Sequence, residues 1–93
     1  MKVITITESI ELCTESGWYA YDFHLDEAMD KERIRKLGML GQLTYLGMLT
    51  KPFYRIEQNY FMIKGLEGDA VLRVAMYRGE EAIMDRVKEK LEE

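Results

Sequence analysis

Cysteine, histidine, proline and tryptophan each occur once in this chain of 93 residues. A single thiol, Cys13, closes no intramolecular disulfide and builds no CxxC metal or redox motif. A single imidazole, His24, makes no histidine-rich metal site. Basic charge is in deficit: 13 Lys and Arg stand against 17 Asp and Glu, a net charge of −4. That argues against a general nucleic-acid binder, which needs a basic face to displace counterions from phosphates. Apolar runs fall short of the roughly 20 residues that span a bilayer. The opening MKVITITESIEL alternates instead of forming the continuous apolar core of a signal peptide. The expectation is a cytoplasmic chain with no membrane segment. P-loop, nucleophile-elbow, HExxH and GxGxxG motifs are missing too, so no catalytic set, metal site or cofactor is assigned.

What is there suits one folded domain over 1–93, with 47% hydrophobic and 32% charged residues. A core of that size stabilises a fold only modestly, so tight packing or oligomerisation is expected. Residues 2–13 alternate, with Ile4, Ile6, Ile10 and Leu12 on one face. Residues 18–25 alternate again through Tyr19, Tyr21, Phe23 and Leu25, after the turn-forming Thr14-Glu15-Ser16-Gly17. A hairpin pairing Cys13 with Trp18 sets Leu12 beside Tyr19, Ile10 beside Tyr21, Ile6 beside Leu25 and Thr7 beside His24, with apolar residues facing one another. Asp26 or Asp30 caps a following helix that runs through KERIRKLGMLGQLTYLGML and stops before Lys51-Pro52. A second hairpin joins 53–64 to Asp69–Tyr77 around a turn at 65–68, pairing Phe61 with Leu72 and Ile63 with Ala70. The tail is an amphipathic helix striped by Ala82, Ile83, Val87 and Leu91.

The order is ββαββα, an α+β protein. Its natural arrangement is a four-stranded antiparallel sheet of order 1-2-4-3 with both helices on one face, a circular permutation of the ferredoxin-like fold. An echo at a shift of 51 residues, aligning Gly17 with Gly68 and Leu12 with Ile63, fits two hairpins obeying the same rules as well as two similar ββα halves.

Candidate chemistry is sparse. Cys13 and His24 lie about 20 Å apart in the expected hairpin, too far for a thiolate–imidazole pair. His24, Asp26, Glu27, Asp30 and Glu32 gather near a helix start, where carboxylates serve capping better than metal ligation. Lys31, Arg33, Arg35 and Lys36 spread around their helix and make no stripe. Tyr54, Arg55, Tyr60, Arg73 and Tyr77 are of the types that stack and neutralise single strands, a role the acidic chain disfavours.

Two surfaces stand out. In the second hairpin both faces are apolar: Phe61, Ile63, Leu72, Val74 and Met76 on one, Tyr54, Ile56, Tyr60, Met62, Val71 and Tyr77 on the other. With helices over the first set, the second lies open beside Trp18, and Asp22, His24 and Arg73 add polar groups. The other surface is the Leu37–Thr50 run, LGMLGQLTYLGMLT, fourteen residues without a charge. Read as a helix it is apolar nearly all round, with Gly38, Gly41 and Gly47 admitting a close neighbour beside Tyr45. Both point to a homo-oligomer, a dimer first, in a binding or assembly role. The alternative is a small enzyme or ligand-binding protein with a small-molecule pocket between subunits.

Overall fold

A computed structural model describes residues 1–9, 17–48 and 50–93. Within them β1 (Val3–Glu8), β2 (Trp18–Leu25), α1 (Lys31–Leu37), β3 (Gln42–Leu46), β4 (Phe53–Gln58), β5 (Phe61–Leu66), β6 (Val71–Tyr77) and α2 (Ala82–Leu91) follow in order. The strands form one six-stranded antiparallel sheet of order β1-β2-β6-β5-β4-β3. The class is α+β, but the four-stranded ferredoxin-like sheet of order 1-2-4-3 is overturned.

Two local features make the difference. The expected helix of 31–49 ends at Leu37, passes through one 3-10 turn at Gly38–Leu40, and becomes β3. Two glycines within four residues weaken a helix by up to about 1 kcal/mol each. Beyond them Leu43 and Tyr45 alternate with Gln42 and Thr44 at strand spacing. Gly41 sits extended against β4, and a Cβ there would lie 2.8 Å from the Glu57 carbonyl oxygen. The close neighbour of that glycine is thus a strand of the same chain. The second feature is a turn at Asn59-Tyr60, which splits the expected single strand 53–64 into β4 and β5 with Gln58 opposite Phe61.

That turn inverts the face assignment of 54–58. Residues directly opposite in a ladder share a face, and Tyr54 and Ile56 stand opposite Gly65 and Ile63. They are therefore core residues, fully buried with Phe23, Ile63 and Val74 beneath the helices. Beyond a bulge at Ile4, which sets Val3 opposite Leu25, the hairpin registers slip by even numbers, which keeps the paired side chains on their expected faces. Thr7 pairs with Asp22, Thr5 with His24 and Ile6 with Phe23; Phe61 pairs with Met76 and Ile63 with Val74. The pairings expected for Ile10, Leu12 and Cys13 lie outside the described residues. The turn after β5 falls later than expected, at 67–70, because Gly65 and Leu66 stay in the ladder.

Both helices pack over one face of the sheet. Asp30 caps α1 by accepting the Arg33 N–H at 2.8 Å, whereas Asp26 accepts the Lys2 N–H. Ile34 and Leu37 of α1 and Ile83, Val87 and Leu91 of α2 point into the core, while Ala82 is exposed. Nothing in the described residues packs over the opposite face, and no described helix is long and apolar enough to cross a membrane.

Candidate functional site

Register alone arranges the open face into rows. At one end Trp18 of β2 stands opposite Tyr77 of β6, their rings edge to face at 6.2 Å. Next come Ala20, Ala75, Met62, Glu57 and Gln42, one from each strand from β2 to β3. A third row crosses all six strands: Thr7, Asp22, Arg73, Lys64, Arg55 and Thr44. Beyond it lie His24 and Val71 on one side and Leu66, Phe53 and Leu46 on the other.

The third row sets three cations on adjacent strands of a chain with net charge −4. Like charges directly opposite cost on the order of a few tenths of a kcal/mol per pair. Among the described residues, the carboxylates of Asp22 and Glu57 offset part of this. The Arg73 Nε donates to Asp22 Oδ1 at 2.9 Å, both side chains about a quarter exposed. Arg55 Nε lies 3.5 Å from Glu57 Oε1, an ion-pair distance without hydrogen-bond alignment. His24 Nε2 shares a hydrogen bond with Thr7 Oγ1 at 2.9 Å.

The cationic row divides two hollows. One of about 160 Å³ has the opposed Ala20 and Ala75 as its floor, Trp18 and Met62 as walls, and Lys64 and Arg73 along its far side. The other, of about 400 Å³, is lined by Phe53, Leu66 and Val71 and shares Lys64 and Arg73.

The second surface is the free edge of β3, the last strand in the sheet. QLTYL carries no charged residue, and Leu43, Tyr45 and Leu46 are each more than a third exposed. Met39 and Met48 flank it at 75% and 89% exposure. Tyr45 donates its hydroxyl to the Glu67 carboxylate at 2.7 Å, and this bond raises the phenol pKa, tying the edge to the β5–β6 turn.

Of the surface residues expected from the sequence, Trp18, Asp22, His24, Met62, Val71, Arg73 and Tyr77 share the open face. Tyr54 and Ile56 do not, being buried on the other side, and Tyr60 stands at the exposed tip of the β4–β5 turn. The set Tyr54, Arg55, Tyr60, Arg73 and Tyr77, disfavoured as a stacking platform on charge, is split between the two faces and the turn as well. The expected helix interface is replaced as well: Gly38 begins the 3-10 turn, Gly41 precedes β3, Tyr45 lies within it and Gly47 follows in a turn. The carboxylates near His24 have separate employment: Asp26 at Lys2, Glu27 at Arg33, Asp30 at the helix cap. Among the described residues no group of three His, Cys, Asp or Glu converges as a metal site. Lys64 and Ala75 escaped the sequence reading, although the parity that turns Met62 and Arg73 outward turns them outward as well. Placing the turn at Asn59 would have brought Arg55 to the same face, since it fixes which residues of β4 face outward.

The class defined by fold and surface is an α+β protein with a one-sided sheet, an uncharged edge and a cationic band. The chain matches no family model, and neither curated proteins nor solved structures give a significant match.

Proposed function

We propose that this chain is an assembly protein that works as a homodimer joined edge to edge through β3. The observation that carries this reading is the uncharged run Leu37–Thr50, which supplies the free edge strand and its exposed apolar neighbours. An edge offers a row of N–H and C=O groups to any incoming strand, and protected edges carry lysine, proline or a bulge. QLTYL has none of these within it. Antiparallel pairing of β3 with its copy around Thr44 would set Leu43 beside the partner's Tyr45 and continue the apolar inner face across the two-fold axis.

The open face is a poorer self-contact. Two copies stacked there would bury the charged row of Asp22, Arg73, Lys64 and Arg55, a desolvation cost that the uncharged β3 edge does not carry. Light scattering behind size exclusion tests the reading. A species of twice the 11.0 kDa chain mass is expected, and an 11.0 kDa monomer at high micromolar concentration overturns it.

A further inference from the structure

We infer that Met39 and Met48 form a reversible oxidation site, at which a hydroperoxide converts both thioethers to sulfoxides and thereby opens the β3 contact. The inference rests on the reading of β3 as the dimer edge and adds the regulation of that edge. Exposure sorts the methionines first. Met29 and Met76 are sealed in the core at 1% and 0% exposure, whereas Met39 and Met48 stand in water at 75% and 89%. Both lie in the uncharged run, Met39 three residues before β3 and Met48 two residues after it.

The two-fold axis then gathers them. In an antiparallel pairing around Thr44, facing positions lie equally far on either side of that residue, so residue 48 of the copy comes level with residue 40. Met39 and the partner's Met48 therefore share each end of the joined ladder. Flexible, polarisable thioethers suit such an apolar contact. A sulfoxide does not, because its polar oxygen must give up water as the copies close, and Leu43 and Leu46 offer it no donor. The step balances simply. The O–O bond of the hydroperoxide breaks as the S–O bond forms, sulfur gives up two electrons, and the peroxide leaves as water or an alcohol. A dithiol reductant reverses it, removing the oxygen as water while becoming a disulfide. Oxidation acts on the single chain, where both sulfurs are open, and withdraws it from the dimer by mass action.

The test uses the full chain carrying Cys13→Ser, which removes the sole thiol. Hydrogen peroxide is added, peptide mass spectrometry locates the added oxygens, and sedimentation equilibrium reads the dimer before and after. Met39 and Met48 are expected to oxidise about tenfold faster than Met29 and Met76 or more, and the doubly oxidised chain to dimerise about tenfold more weakly. Reductases for both sulfoxide epimers should restore the dimer. The double variant Met39→Leu, Met48→Leu keeps volume and apolarity, so it should dimerise like its parent and ignore peroxide. A dimer unchanged once both sulfoxides are present, no recovery on reduction, equal loss in the double variant, or loss of near-ultraviolet circular dichroism along with the dimer would each overturn the inference. A chain that is monomeric before peroxide is added overturns the dimer reading and the inference together, so the first measurement tells the two failures apart.

Discussion

At the β1 edge the ladder skips Ile4, the Val3 N–H goes to the carboxylate of Glu92, and Lys2 and Glu8 bracket the strand. At the β3 edge the ladder with β4 runs unbroken through five pairs, and the strand and both flanks are uncharged. Both are edge strands of the same sheet, yet only the first carries the devices that keep strands from pairing with strangers. A chain that guards one edge and leaves the other apolar and uncharged has the asymmetry that the proposed β3 contact requires. That contrast is the strongest functional statement the molecule makes.

The contrast can be broken most sharply by charging β3. Thr44→Glu sets a carboxylate opposite Arg55 in β4, so the fold gains a cross-strand partner while the free edge gains a repulsive charge. Sedimentation equilibrium should show the dimer weakened about hundredfold or more. Gly41→Ala attacks the same edge from beneath. Its Cβ would meet the Glu57 carbonyl oxygen at 2.8 Å, so denaturant titration should report a loss of about 1–3 kcal/mol and β3 should loosen from β4.

A smaller effect of opposite sign belongs to Tyr54, which lies in β4 directly beside Tyr45. Its hydroxyl is buried with no hydrogen-bond partner among the described residues, and Gly65 leaves room for the ring. Tyr54→Phe should therefore stabilise the chain by about 1 kcal/mol. Burial, with the Asp69 carboxylate second, holds the phenol protonated well above its ordinary value of 10.0. A raised folded-state pKa gives stability that is complete below the unfolded value and lost as pH rises beyond it. Thermal unfolding should accordingly show stability falling above about pH 10 in the unmodified chain and less so in Tyr54→Phe. The smallest effect is the control on the guarded edge: Thr5→Glu should leave the oligomer unchanged and stability within about 0.5 kcal/mol.

The sequence made some of this legible and hid the rest for definite reasons. Alternation through Tyr19, Tyr21, Phe23 and Leu25 and through Leu72, Val74 and Met76 revealed β2, β6 and their inward faces, and these strands do lie side by side. Asp30 and the Ile83, Val87, Leu91 stripe announced the helices. The β3 segment misled because Leu43 and Leu46 sit three apart, a helical spacing, while Leu43 and Tyr45 sit two apart. Its choice of strand over helix depends on β4, a tertiary partner that local periodicity does not contain. A single missed turn at Asn59 moved Tyr54 and Ile56 to the wrong face, because side chains alternate and one slip inverts them all. Seven of the ten expected surface residues still shared a face, since Trp18, Asp22, His24, Met62, Val71, Arg73 and Tyr77 lie on strands whose parity was read correctly.

Amide hydrogen exchange across a dilution series tests the edge contact most directly, because it reads both edges in one experiment. The account predicts that exchange at Gln42–Leu46 slows as concentration rises through the monomer–dimer range, while Val3–Glu8 exchanges at one rate throughout. Exchange at β3 that ignores concentration, or an equal response at β1, would contradict it.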